Sequence, residues 1–205
     1  MLSMNIYIII ATVLVSLAGE YNPVVTNRLL FNAYAIKHHG QWYRLFTSGF
    51  VHGNLPHLAF NMFALYMFGD YVESFFQLLV HNVRWGSFVY LGFYLSAIPM
   101  SVLYTFEKHK NDEWYNALGA SGAISAVIFS FIIQNPFQLM GLLFIPIYIP
   151  AILFGIIYLA ATWYMSRRKV DNIAHDAHLF GALYGILVTV VCAPKLVTDL
   201  FAALT

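Results

Sequence analysis

Charged side chains are so sparse along this sequence that stretches of about twenty apolar residues follow one another through most of its length. Asp, Glu, Lys and Arg make up 9% of the 205 residues, and hydrophobic residues 60%. A soluble domain carries about a quarter charged residues, so this chain has too few to clothe a surface facing water. That excludes an ordinary soluble globule and a disordered chain. A net charge of +1 without clustered Lys and Arg excludes a nucleic-acid binder. The single cysteine, Cys192, excludes an intramolecular disulfide and a multi-cysteine metal site. The remaining solvent is a lipid bilayer.

A bilayer core is about 30 Å thick and takes about 20 apolar residues per helix. Six stretches meet that need: about 1–18, 55–79, 86–106, 118–134, 138–165 and 177–193. The expected architecture is therefore an all-α, polytopic bundle of six transmembrane helices forming one membrane domain over 1–205. The first stretch lacks the basic segment of a secretory signal and reads as a retained helix. Pro136 marks the turn between the fourth and fifth spans, and Pro146 and Pro150 are expected to bend the fifth. Residues 20–53 mix Arg28, Lys37 and Arg44 with Tyr34, Trp42, Tyr43, Phe46 and Phe50. That combination suits an element lying at the headgroups.

A polar or ionisable side chain inside a span is costly and is a functional candidate by default. His57 and Asn61, four apart at the start of the second span, share a helical face. Both can donate hydrogen bonds to one point, either stabilising an oxyanion or joining two helices. His52 falls in the preceding loop, where a structural hydrogen bond is expected. The fourth span opens with Gly119-Ala120-Ser121-Gly122-Ala123, a small-residue run that serves close packing or exposes a nucleophilic Ser121. The sixth opens with His175-Asp176-Ala177-His178-Leu179-Phe180-Gly181. Gly181 and Gly185 suit tight packing on the fourth span, which would bring His178 towards Ser121 as nucleophile and general base. Asp176, two residues from His178, points to the opposite side of a helix and reads as a solvated loop carboxylate. His175 shares nearly the face of His178 and is a second candidate base. The eight histidines have no carboxylate or thiolate set to complete a zinc site, and there is no His-Glu-x-x-His; no metal is expected.

Taken in order, Trp42-Tyr43-Arg44, His52…His57…Asn61, Gly69…Glu73, Gly119-Ala120-Ser121-Gly122 and Ala177-His178-Leu179-Phe180-Gly181 resemble the rhomboid family of intramembrane serine proteases over nearly the whole chain. The resemblance implies a Ser121–His178 dyad and an oxyanion hole of His57, Asn61 and the Ser121 backbone N–H. It implies structural roles for Gly119, Gly181, Arg44, Glu73 and His52, and no cofactor. It further implies a water-filled cavity below the membrane surface, and substrates that are transmembrane helices of other membrane proteins. Membrane lipid would surround the protein, and a bacterial cytoplasmic membrane is the expected location.

Two features depart from the pattern. Many relatives carry an aromatic ring four residues after the nucleophile, where this chain has Ser125. The family orientation would also put Arg28, Lys37, Arg44, Lys108, Lys110, Arg167, Arg168 and Lys169 outside and only Arg84 and Lys195 inside, against the positive-inside rule. The alternatives are a catalytically inactive rhomboid-like protein that binds membrane helices, and a transporter. A transporter would show broken helices in matching halves, a pattern the sequence lacks.

Overall fold

Ser3 caps the first helix: its side chain accepts the Ile6 N–H and starts α1 (Met4–Tyr21). In the computed structural model, which describes residues 2–142, 145–168 and 174–204, polar caps of this kind recur. Asn22 opens α2 (Pro23–Leu29), Asn32 opens α3 (Ala33–His39), Asn54 opens α5 (Leu55–Val80) and Asn82 opens α6 (Val83–His109). Each Asn side chain accepts a backbone N–H of the first turn, which a helix in a poorly hydrated place cannot leave unpaired. The short α4 (Arg44–Thr47) and a 3₁₀ turn at Ser48–Phe50 lead into α5. Beyond α6 come α7 (Ser121–Gln134), α8 (Ala151–Arg167), α9 (His175–Cys192) and α10 (Lys195–Leu204).

Among the described residues α1, α6 and α9 are long and apolar enough to cross a membrane. Helix α5 is longer than α1 but carries Asp70 and Glu73, and α7 and α8 are apolar but shorter. The bundle winds around α7, which packs against α9, α5, α6 and α8 and is buried along most of its length. The region 20–53 is not a free loop. Its three short helices close over Phe31, Ala33 and Ile36, all fully buried, and pack on Val102 of α6 and Ala177 of α9. Trp42, Tyr43 and Phe46 stay exposed on this element.

One expectation needs correction. The fifth stretch is not helical from 138 to 165: Leu139–Leu142 and Ile145–Pro150 pair as an antiparallel hairpin, β1 and β2, and helix begins only at Ala151. Pro146 and Pro150 do not bend a helix. Each lacks the N–H that a helix would use, and the intervening Ile147, Tyr148 and Ile149 prefer the pleated surface of a strand. The other helices differ from the expected spans by a few residues at their ends. Met1, residues 143 and 144, and Lys169 lie outside the described residues.

The start of α1 is fastened by a buried carboxylate. Glu73 on α5 accepts the backbone N–H groups of Met4 (3.0 Å) and Asn5 (2.9 Å), the Ser87 hydroxyl (2.6 Å) and the Gln77 side-chain amide (3.2 Å). A negative charge at a helix N-terminus meets both the unpaired donors and the positive end of the helix dipole. Asn5 adds a second layer, donating to the Leu65 carbonyl and accepting from the Tyr90 hydroxyl. The Asn5 amide lies over Gly69, where any Cβ would collide with it. Glu73→Ala strands these donors in the bundle and should lower unfolding stability by on the order of 3 kcal/mol. Glu73→Gln, which keeps one acceptor oxygen, should lose less; denaturant titration of the purified protein checks both.

Candidate active site

Backbone packing between α7 and α9 sets the site. A Cβ on Gly181 would land on the Gly122 backbone, 2.8 Å from its carbonyl carbon, and one on Gly185 would fall 2.7 Å from the Ala126 Cα. Two helices approach this closely only where side chains are absent. At their common end, Ser121 is the first residue of α7 and His178 stands in the first turn of α9. The Ser121 Oγ lies 2.7 Å from the His178 Nε2. With the ring proton on Nδ1, Nε2 accepts the hydroxyl proton and can take it when Oγ attacks.

The other wall comes from the start of α5. Gly119 has φ +118°, and a Cβ there would stand 2.7 Å from the His57 Cε1. Glycine is required twice over, for the backbone conformation and for the imidazole beside it. Asn61 follows His57 by one turn. Its Nδ2 is buried and has no hydrogen-bond partner among the described residues. Such an orphan donor costs stability and marks a place where an acceptor is to be met. No side chain caps α7, and first-turn amides without a cap are donors that an acceptor at the helix start can meet.

His52 braces this arrangement from behind. Its Nε2 accepts the Ala120 N–H at 3.3 Å, so Nδ1 carries the proton and donates to the Ser16 Oγ at 2.9 Å. Ser16 donates in turn to the Phe50 carbonyl at 2.8 Å. The chain of bonds ties α1, the 3₁₀ turn and the residue before the serine together. Gly119 adds a further tie, its N–H bonding the Ser48 carbonyl at 3.0 Å. Farther out, the Arg44 Nη1 caps the end of α2 on the carbonyls of Asn27 (2.9 Å) and Leu30 (2.7 Å), and Nε reaches the Gln41 side chain. Glu73 is at the opposite end of α5, in the α1 fastening described above.

The structure thus brings together Ser121, His178, His57, Gly119, Gly181 and His52, with Asn61 one turn beyond His57 on α5, and leaves Arg44 and Glu73 away from them as scaffold. Asp176 is not a loop residue. It lies in the first turn of α9 and bonds the Lys108 Nζ at 2.7 Å. The buried His175 meets the His178 ring edge-on at 6.0 Å between centroids. Ser125, one turn after Ser121, donates to the Ser121 carbonyl at 2.9 Å and lies 2.8 Å from the Tyr158 hydroxyl of α8. Nothing in the sequence singles out Tyr158 or Ser16, because each partner is more than thirty residues away and no spacing rule links them. Among the described residues no three of His, Cys, Asp and Glu converge as metal ligands.

Residues 39–195 match the Rhomboid domain. The chain belongs to the rhomboid family. It is an integral membrane protein. A relative is RHOMBOID-like protein 12, mitochondrial, of Arabidopsis thaliana, 31% identical over 152 residues. The match covers 70% of this chain but 44% of that protein, so this chain spans less than half of its relative's length.

Two outcomes follow from this geometry. Burial, with His57 nearby, pushes the pKa of the loop residue His52 down to about 3 from its ordinary 6.5. The unfolded chain binds that proton below about pH 6.5 and the folded one does not, so stability is full above that pH and falls as pH drops towards 3. The melting temperature should decline from about pH 7 to about pH 4, and His52→Gln should flatten the decline while lowering the plateau. Truncating Asn61 to Ala should relieve a buried orphan and so leave the melting temperature unchanged or raised; a large fall would show that Asn61 holds the fold.

Proposed function

We propose that this protein is an intramembrane serine endopeptidase that cleaves transmembrane helices of other membrane proteins. The observation that carries the reading is the 2.7 Å contact between the Ser121 Oγ and the His178 Nε2, beside an uncapped helix start and the orphan Asn61 donor. The Ser121 Oγ attacks the scissile carbonyl carbon while its proton passes to the His178 Nε2. Negative charge moves onto the carbonyl oxygen, where His57, the Asn61 Nδ2 and the Ser121 N–H would donate to it. The C–N bond then breaks, and His178 returns the proton to the departing amine. Water, deprotonated by His178, attacks the acyl-enzyme; Ser121 leaves as its oxygen regains the proton.

A substrate helix must unwind to offer a scissile bond, so Gly or Pro near the cut should favour cleavage. The serine and the histidine are both present, which supports an active enzyme over a helix-binding relative without catalysis. The expected location is a bacterial cytoplasmic membrane; the Arabidopsis relative is named as mitochondrial, and the chemistry is the same in either place.

Purified protein exposed to a fluorophosphonate probe should label on Ser121, and Ser121→Ala and His178→Ala should abolish labelling while staying folded. A folded wild type that never labels would overturn the protease reading. Asn61→Ala should reduce kcat on a transmembrane substrate by about 10²- to 10³-fold, the usual cost of one oxyanion donor, with little change in KM.

A further inference from the structure

Helix α9 must be held in rotation as well as in position, because His178 reaches Ser121 only from one of its faces. The closeness of the glycines fixes how near α9 lies to α7. A second contact, on the far side of α9, bears on its rotation. Asp176 and Phe180 stand four apart and share a face of α9. His178 lies midway between them in sequence, about 200° around the helix from each, and so points away from that face. Tyr104 and Lys108 likewise stand four apart near the end of α6. They meet the α9 pair rung for rung: Lys108 Nζ bonds the Asp176 Oδ2 at 2.7 Å, and the Tyr104 and Phe180 rings stack at 4.9 Å and 17°. Lys108 also lies over the Tyr104 ring, 5.8 Å from its centroid, which links the two rungs. Asp176 is the better sheltered partner of the ion pair, its side chain 15% exposed against 37% for Lys108. The carboxylate occupies the first turn of α9 and the ammonium the last turn of α6, so each charge also suits its own helix dipole.

We propose that Lys108 and Asp176 form a clasp that turns His178 towards Ser121, making Lys108 a positioning residue for the dyad although it never touches the reacting atoms. The proposal rests on the serine-protease reading. It gives Asp176 a role that is neither a solvated carboxylate nor a third catalytic group. An isolated ion pair at this exposure adds little to stability, whereas a shift of about 1 Å between nucleophile and base costs about a hundredfold in rate. The clasp should therefore be read in chemistry and hardly in melting.

The experiment follows the rate of fluorophosphonate labelling at Ser121, resolved into kinact and KI, in wild type, Lys108→Met, Asp176→Asn, the double variant and Lys108→Arg. Melting temperature is measured on the same preparations. Lys108→Met and Asp176→Asn are each expected to lower kinact by about tenfold or more at unchanged KI and nearly unchanged melting temperature. The double variant should be no slower than either single one, since both remove the same contact. Lys108→Arg, which keeps the charge, should stay within about threefold of wild type. Wild-type kinact in Lys108→Met would overturn the clasp and leave the protease reading intact. So would a loss confined to Asp176→Asn, losses that add in the double variant, or a slower rate that only follows a reduced folded fraction. A folded wild type that does not label overturns the protease reading itself, and the clasp with it.

Discussion

The contact of α9 on α7 through bare backbone is the constraint on which the rest of the molecule depends. Gly181 lies against Gly122, and Gly185 against Ala126, at separations that leave no room for a Cβ. In lipid no hydrophobic force draws two apolar helices together, since the tails are as apolar as the side chains. Dispersion over a close, flat contact takes its place, and the small residues make that contact possible. One lower rung extends it: the Thr189 hydroxyl of α9 donates to the Ser130 hydroxyl of α7 at 2.7 Å, an oxygen that also accepts from the Gln134 amide within α7 at 3.0 Å. The 2.7 Å Ser121–His178 contact is the top of this seam.

The polar atoms of this largely apolar chain are concentrated where the backbone would otherwise be unpaired. Glu73 closes the first turn of α1, Arg44 closes the last carbonyls of α2, and His52 takes the amide just before Ser121. Each of these side chains satisfies main-chain groups that neither lipid nor a short helix could satisfy. No side chain caps the start of α7, and the Asn61 Nδ2 has no partner among the described residues. Donors left open in this way are what a site for a developing negative charge would need.

Legibility in the sequence followed the range of the interaction. Helix faces can be read from local spacing, so His57 with Asn61 and Gly181 with Gly185 were visible as pairs. The Ser121–His178 approach was visible only because small residues on two spans make one the natural partner of the other. The hairpin at 139–150 is hidden by its apolar composition, which a strand and a membrane helix share; Pro146 and Pro150 hold the information, but proline signals a bend as readily as a helix stop. Asp176 has its partner Lys108 68 residues away, which local spacing does not reveal, and the Ser16–His52–Ala120 chain spans more than a hundred residues with no periodicity at all. Ser125 is the instructive departure. It is not a hole in the packing: its hydroxyl meets that of Tyr158, so a residue of α8 reaches the turn below the nucleophile.

The shortness of α7 has a consequence for the surrounding lipid. Fourteen residues make a helix about 21 Å long, against a hydrocarbon core of about 30 Å. A helix of that length that ended at one face would begin about 9 Å short of the other, with Ser121 inside the hydrocarbon thickness. Helix α8, at 17 residues, is about 25 Å long and also falls short of that core. A bilayer meeting such helices thins towards them, at a cost that grows with each ångström of mismatch. The thickness of the host membrane therefore acts on this fold as a mechanical load, borne most directly by the helices next to the dyad.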